Sequence, residues 1–144
     1  MTANTSPIFT LTPDISANNG STVGGSITAA IGSSYDGTHA NMVLEHTAGA
    51  NGSFIGQIRC KALGTNVATV ARVFANNGST NGTAANNTFI EEISLPATTA
   101  NNTAATATIV MPLNLRLPSG WRIYIGLGTA VSAGWNFVCE AGQY

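Results

Sequence analysis

Apolar and β-branched residues in this chain recur at every second position in short runs, and clusters of Gly, Asn and Ser separate the runs. Side chains of an extended strand alternate between two faces, whereas a helix repeats every 3.6 residues, so this spacing dictates strands. Such runs cover residues 8–12, 26–31, 41–46, 54–63, 67–75, 89–95, 107–117 with a break at Pro112, 121–127 and 135–141. No apolar stripe at i, i+3, i+4 is sustained, and the Ala-rich stretch 97–108 holds too much Thr and Asn for a helix. The chain therefore reads as all-β. Eight or nine short strands in 144 residues predict a single-domain antiparallel β-sandwich or jelly roll of about eight strands, because one open sheet would leave a broad apolar face wet.

Parity then assigns faces. Phe54, Ile58 and Cys60 share one side of their strand, with Gln57, Arg59 and Lys61 on the other. Trp121, Ile123, Ile125 and Leu127 form a second inward row, and Trp135, Phe137 and Cys139 a third. Leu117, Pro118, Ser119 and Gly120 supply a turn, with Pro and Gly at its second and fourth positions. The hexapeptide ANNGST occurs at 17–22 and 75–80; its flanks differ, so it reads as the same Asn-Gly turn chemistry used twice and not as a repeat. Residues 1–25 hold few core-sized side chains beyond Ile8, Phe9, Leu11 and Ile15. They are expected to form an extended N-terminal arm or a peripheral strand that serves docking more than folding, with 26–144 as the sandwich. Pairing 67–75 with 89–95 as a hairpin places Phe74 opposite Phe89, Arg72 opposite Glu91, Val70 opposite Ile93 and Ala68 opposite Leu95.

Charge bounds the function. Asp, Glu, Lys and Arg make up 8% of the chain, against roughly 25% in an ordinary soluble domain. A hydrophobic content of 44% is enough for a core, so the exterior is built from Thr, Asn, Ser, Gly and Ala, a surface suited to contact with other protein. The net charge is −1, and no Lys or Arg precedes Arg59, so no cation field is available for a polyanion and nucleic acid is not an expected partner. No run approaches the ~18 apolar residues that span a bilayer, and residues 1–6 lack the features of a secretory signal. The expectation is a protein made in the cytoplasm, with no membrane partner.

No catalytic, cofactor-binding or metal-ligating residue emerges, and an enzyme is not expected. Cys60 and Cys139 are too few for a disulfide framework and lack ligand neighbours, so they read as buried free thiols. Asn-x-Ser/Thr triplets at Asn19, Asn51, Asn77, Asn81, Asn86 and Asn101 read as turns. Gly126 and Gly128 open like a dinucleotide fingerprint, but Val131 stands where the third Gly belongs and a strand follows, which makes the stretch a β-hairpin connection. His39 and His46 are seven positions apart, and Glu45, the acid beside His46, points away from it in a strand; both histidines read as surface or structural. Glu91 and Glu92 are neighbours sent to opposite faces. Tyr35, Trp121, Tyr124, Trp135 and Tyr144 could form a sugar-stacking platform, although the parity of Trp121 and Trp135 places them with aliphatic core residues.

From 49 to 144 the chain resembles small virion-associated proteins of tailed bacteriophages and prophages. The resemblance is carried by 47–53 (TAGANGS), 62–70 (ALGTNVATV), 74–79 (FANNGS), 93–99 (ISLPATT), and 117–124 (LPSGWRIY) running into 127–135 (LGTAVSAGW). It implies a bacteriophage virion structural protein. Within that setting the expected role is a capsid decoration, or cement, protein on the outer capsid surface, bridging capsomers of the major capsid protein, its partner. Cyclic association, a homotrimer at lattice axes, is what the resemblance and shell symmetry imply. The alternative is a receptor- or glycan-binding module of a head or tail fibre.

Overall fold

A computed structural model describes residues 10–17 and 26–144. Eight strands run in chain order: β1 (Thr12–Ala17), β2 (Val43–Thr47), β3 (Ser53–Ala62), β4 (Thr69–Asn76), β5 (Asn87–Leu95), β6 (Thr108–Leu117), β7 (Arg122–Leu127) and β8 (Trp135–Gln143). One 3₁₀ turn, Ala84–Asn86, lies in the β4–β5 loop. Pairing is antiparallel throughout, β1 with β8, β2 with β7, β3 with β6 and β4 with β5. The chain is thus one long ribbon of paired strands rolled on itself, and two further pairings, β3 with β8 and β4 with β7, close it into two sheets of four. The first sheet has the order β1-β8-β3-β6 and the second β2-β7-β4-β5. This is a jelly roll, as the patterning predicts.

The core fills the space between the sheets. Ile55, Ile58 and Cys60 from β3, Val73 from β4, Ile123, Ile125 and Leu127 from β7, and Trp135, Phe137 and Cys139 from β8 are fully buried in it. Both thiols are free. Burial pushes the Cys60 thiol up to about 12 and raises Cys139 as well, with the Glu45 carboxylate adding to both shifts.

A second, smaller core sits on the outer face of the second sheet. Residues 26–42 cross that face, and Ile31 and Met42 pack on Phe74 with Tyr124 beside them. Gly126 makes this approach possible: a Cβ there would stand 2.6 Å from Ile31 Cγ2 and 2.8 Å from Met42 Sδ. The roof explains why β4 is buried on both faces for most of its length.

The structure corrects several expectations. Residues 26–31 form no strand; Ile27 makes a single bridge to Trp135 and Ala30 another to Leu127, so the segment ties the ends of the two sheets together. The expected arm over 1–25 and strand over 8–12 fall largely outside the described residues, as does the 17–22 hexapeptide; within that stretch β1 is laddered to β8 as an edge strand. The stretch containing Gly126 and Gly128 is no hairpin connection, because β7 and β8 belong to different sheets and the loop crosses between them. Strand β6 continues through Pro112, which an edge strand tolerates because its missing N–H costs no ladder bond on the open side.

Three bulges invert local parity. A register shift at Gly56 turns Ile55, not Phe54, inward with Ile58 and Cys60. One at Glu45 lets both Glu45 and His46 be buried, although neighbours in a regular strand would face opposite ways. The third falls in the β4–β5 hairpin. Phe74 lies opposite Phe89 as expected, but beyond it the register slips by one, so Arg72 faces Glu92, Ala71 faces Ile93 and Thr69 faces Leu95. The extra residue, Ile90, allows Phe89 to join the outer face while Leu95 enters the main core.

Candidate functional site

The grouping nearest to a catalytic constellation is centred on His46. Its Nε2 lies 3.0 Å from Ser53 Oγ, and its Nδ1 lies 3.1 Å from Ser16 Oγ and 3.6 Å from Asp14 Oδ2. Gln143 Nε2 donates to the same Asp14 oxygen at 2.8 Å. The order hydroxyl, imidazole, carboxylate is that of a nucleophile with its base and orienting acid. Access is what it lacks: Ser53 is 0% and His46 1% exposed. Burial holds the imidazole below its ordinary range, with Asp14 pulling the other way. A ring kept neutral between β1 and β3 of one sheet, on a strand of the other, fastens edge strand β1 to the sandwich. Sequence spacing could not bring Ser16 and Ser53 to His46, since they come from three separate strands.

Two cross-strand Arg–Glu pairs mark the outer faces. On the first sheet, Arg59 Nε donates to Glu140, and Gln57 Nε2 donates to the other carboxylate oxygen at 2.7 Å. Those bonds, Arg59 first, hold the Glu140 carboxyl below its ordinary range. This face is uncovered among the described residues and also carries Lys61 and Arg116, so three of the chain's five cations lie on it. Ile15 and Val110, on its two edge strands, are among the exposed large hydrophobic residues.

On the second sheet, Arg72 is only 7% exposed. Its Nε donates to Glu92 Oε1 at 2.8 Å, Nη1 to the Gly32 carbonyl at 2.5 Å and Nη2 to the Tyr35 hydroxyl at 3.0 Å. The guanidinium also lies over the Tyr35 ring, with Cζ 4.1 Å from the centroid. Tyr35 meets Phe89 edge-on at 5.4 Å, and Phe89 meets Phe74 at 5.3 Å. Beside Arg72 opens a cleft of about 550 Å³ whose walls include Gly32, Ser33, Ala68, Gly128 and Thr129.

The remaining residues weighed in the sequence are scattered. His39 accepts from the Asn41 backbone N–H through Nδ1 and does not join His46. Trp135 is fully buried and Trp121 and Tyr124 pack against the two cores, which leaves no five-membered aromatic platform; Tyr35 is the exposed one. Glu91 is exposed, while Glu92 is drawn to Arg72. Among the described residues no group of three His, Cys, Asp or Glu is placed to hold a metal ion, and no helix is long and apolar enough to cross a membrane.

No protein-family model matches the chain, and no curated protein matches it. A solved structure described as that of the infectious bursal disease virus Gt strain is similar over 99% of this chain, which spans 36% of the length of that chain, at 12% identity and a TM-score of 0.31. A likeness that slight bears on neither fold nor function.

Proposed function

We propose that this chain is a structural protein of a bacteriophage virion, and within it a capsid decoration protein that binds the outer capsid surface and stabilises the shell by bridging capsomers. The observation that carries the reading is a jelly roll with few charges in which the catalysis-like grouping found among the described residues is sealed from solvent. Jelly rolls recur in viral shells and in lectins, so the fold admits the role without fixing it. The resemblance over 49–144 supplies the phage setting. A partner that binds only the assembled shell raises its stability by mass action, and few charges have to be stripped of water at such a contact. The major capsid protein is the partner, and a homotrimer at a lattice axis is the form that matches shell symmetry.

The test mixes the purified chain with capsids of its own phage that lack it. Saturable co-sedimentation, with a raised capsid melting temperature, is the expected result. A chain that stays in the supernatant and leaves capsid stability unmoved overturns the reading and favours a fibre module.

A further inference from the structure

The few charges of this chain are segregated. All of its Asp, Glu, Lys and Arg side chains lie among the described residues, and Glu140 and Glu92 are matched by Arg59 and Arg72. Glu45 is buried and Asp14 lies against His46. Asp36 and Glu91 are the exposed acids that remain, and Arg122, the cation nearest the β4–β5 loop, is tied to the Ser79 carbonyl. Lys61 and Arg116 stand without a carboxylate on the bare outer face of the first sheet. There Val138 and Val110 flank Arg59 in register, and Ile15 and Val110 are 64% and 41% exposed.

The exposed acids belong to the roofed sheet. Tyr35 and Phe89, 52% and 40% exposed, meet ring to ring, with Asp36 next to Tyr35 in the chain and Glu91 two residues beyond Phe89 on edge strand β5. Hydrogen bonds from the Thr38 amide and the Ser34 and Thr38 hydroxyls hold the Asp36 carboxyl down to about 2, so it is ionised at neutral pH. One surface thus offers aliphatic side chains with two unmatched cations, and the other offers two aromatic rings with two unmatched carboxylates. Two copies meeting through the first-sheet face would set its cations against themselves, and residues 1–9 and 18–25 contain no acid to meet them. Opposite charge and shared apolar character make each surface the complement of the other. We propose that copies of this chain associate head to tail, the bare face of the first sheet in one copy against the Tyr35–Phe89 patch of the next. Such a contact is heterologous, the kind that builds a ring when its rotation closes. It deepens the self-association proposed for the virion and rests on that part of the proposed function, not on capsid attachment. With so few charges to match, its dissociation constant in solution is on the order of 0.1 mM, and a lattice that holds copies side by side raises their effective concentration.

The experiment is sedimentation equilibrium of the purified full-length chain, without capsids, from about 10 μM to about 1 mM at low and at high salt. The mean mass is expected to rise above the monomer with concentration and to fall back as salt is added. Arg116→Glu on the face and Glu91→Lys at the patch, both exposed positions, should each weaken association by about fivefold or more, and the chain carrying both reversals should recover most of the loss, since every contact then again joins opposite charges. A monomer at every concentration overturns the contact. So does sensitivity to Arg116→Glu without sensitivity to Glu91→Lys, which would mean pairing face to face, or a double variant no better than the single ones. Should Glu91→Lys melt early, Glu91→Gln, which keeps the acceptor for the Glu92 amide, takes its place. Capsid co-sedimentation is measured separately: a chain that binds shells yet stays monomeric overturns the head-to-tail contact and leaves attachment standing.

Discussion

The two sheets of the jelly roll treat their outer faces differently. Each carries an arginine paired across strands with a glutamate, yet the Arg59 side chain is 54% exposed and that of Arg72 only 8%. The difference lies in what covers them. Residues 26–42 roof the second sheet and bury Phe74 beneath Ile31 and Met42, whereas no described segment crosses the first sheet. The same pair of side chains is therefore a solvated surface feature on one face and a fastening for the roof on the other, through the Gly32 carbonyl and Tyr35 hydroxyl.

The sharpest way to break this comparison is to remove the roof's anchor. Phe74→Ala is expected to cost about 3–5 kcal/mol in chemical denaturation, while Val110→Ala on the bare face stays within about 0.5 kcal/mol. Equal losses would mean that the second core contributes nothing. Next in size is Arg72→Ala, expected to cost about 1–3 kcal/mol because the Gly32 carbonyl, the Tyr35 hydroxyl and Glu92 all lose the donor that ties them together. A double-mutant cycle with Glu92→Ala should return a coupling of about 0.5–3 kcal/mol, and the same cycle with Glu91→Ala should be additive.

A third test concerns His46, which joins the sheets at the opposite edge. Its folded pKa lies below the unfolded value near 6.5, so the folded state binds fewer protons as the solution is acidified. Stability is thus full above about pH 6.5 and declines as pH falls from there toward the depressed folded value. Urea midpoints followed across that range should drop in the natural chain and drop less in His46→Asn. The smallest effect is expected for Arg59→Ala, which should leave the thermal midpoint where it is; a clear shift would make the bare face less solvated than it looks.

Seven of the strands were legible as alternating runs, and the inward rows of β7 and β8 were right in every residue from Ile123 to Leu127 and from Trp135 to Cys139. What parity could not carry was a single inserted residue. The bulges at Glu45, Gly56 and Ile90 each reverse the faces beyond them, which misplaced Phe54 and matched Arg72 to Glu91 instead of Glu92. Local pattern also says nothing of which sheet a strand joins, so the β7–β8 link read as a hairpin. The roof was the least visible part, since Ile31 and Met42 sit in a segment without sustained strand pairing. Its one signal was Gly126, whose bare Cα the packing requires and whose spacing from Gly128 imitates a nucleotide motif. The His46 grouping and the Arg72 cleft were likewise beyond reach, as each is assembled from segments far apart in the chain.

Attachment to the shell is the claim on which the functional account rests, and the most direct measurement is a low-resolution reconstruction of the virion with and without this chain. Added density on the outer capsid surface, repeated at lattice axes and spanning adjacent capsomers, is the expected result. Density confined to the tail or fibres, or identical maps from the two particles, would contradict it.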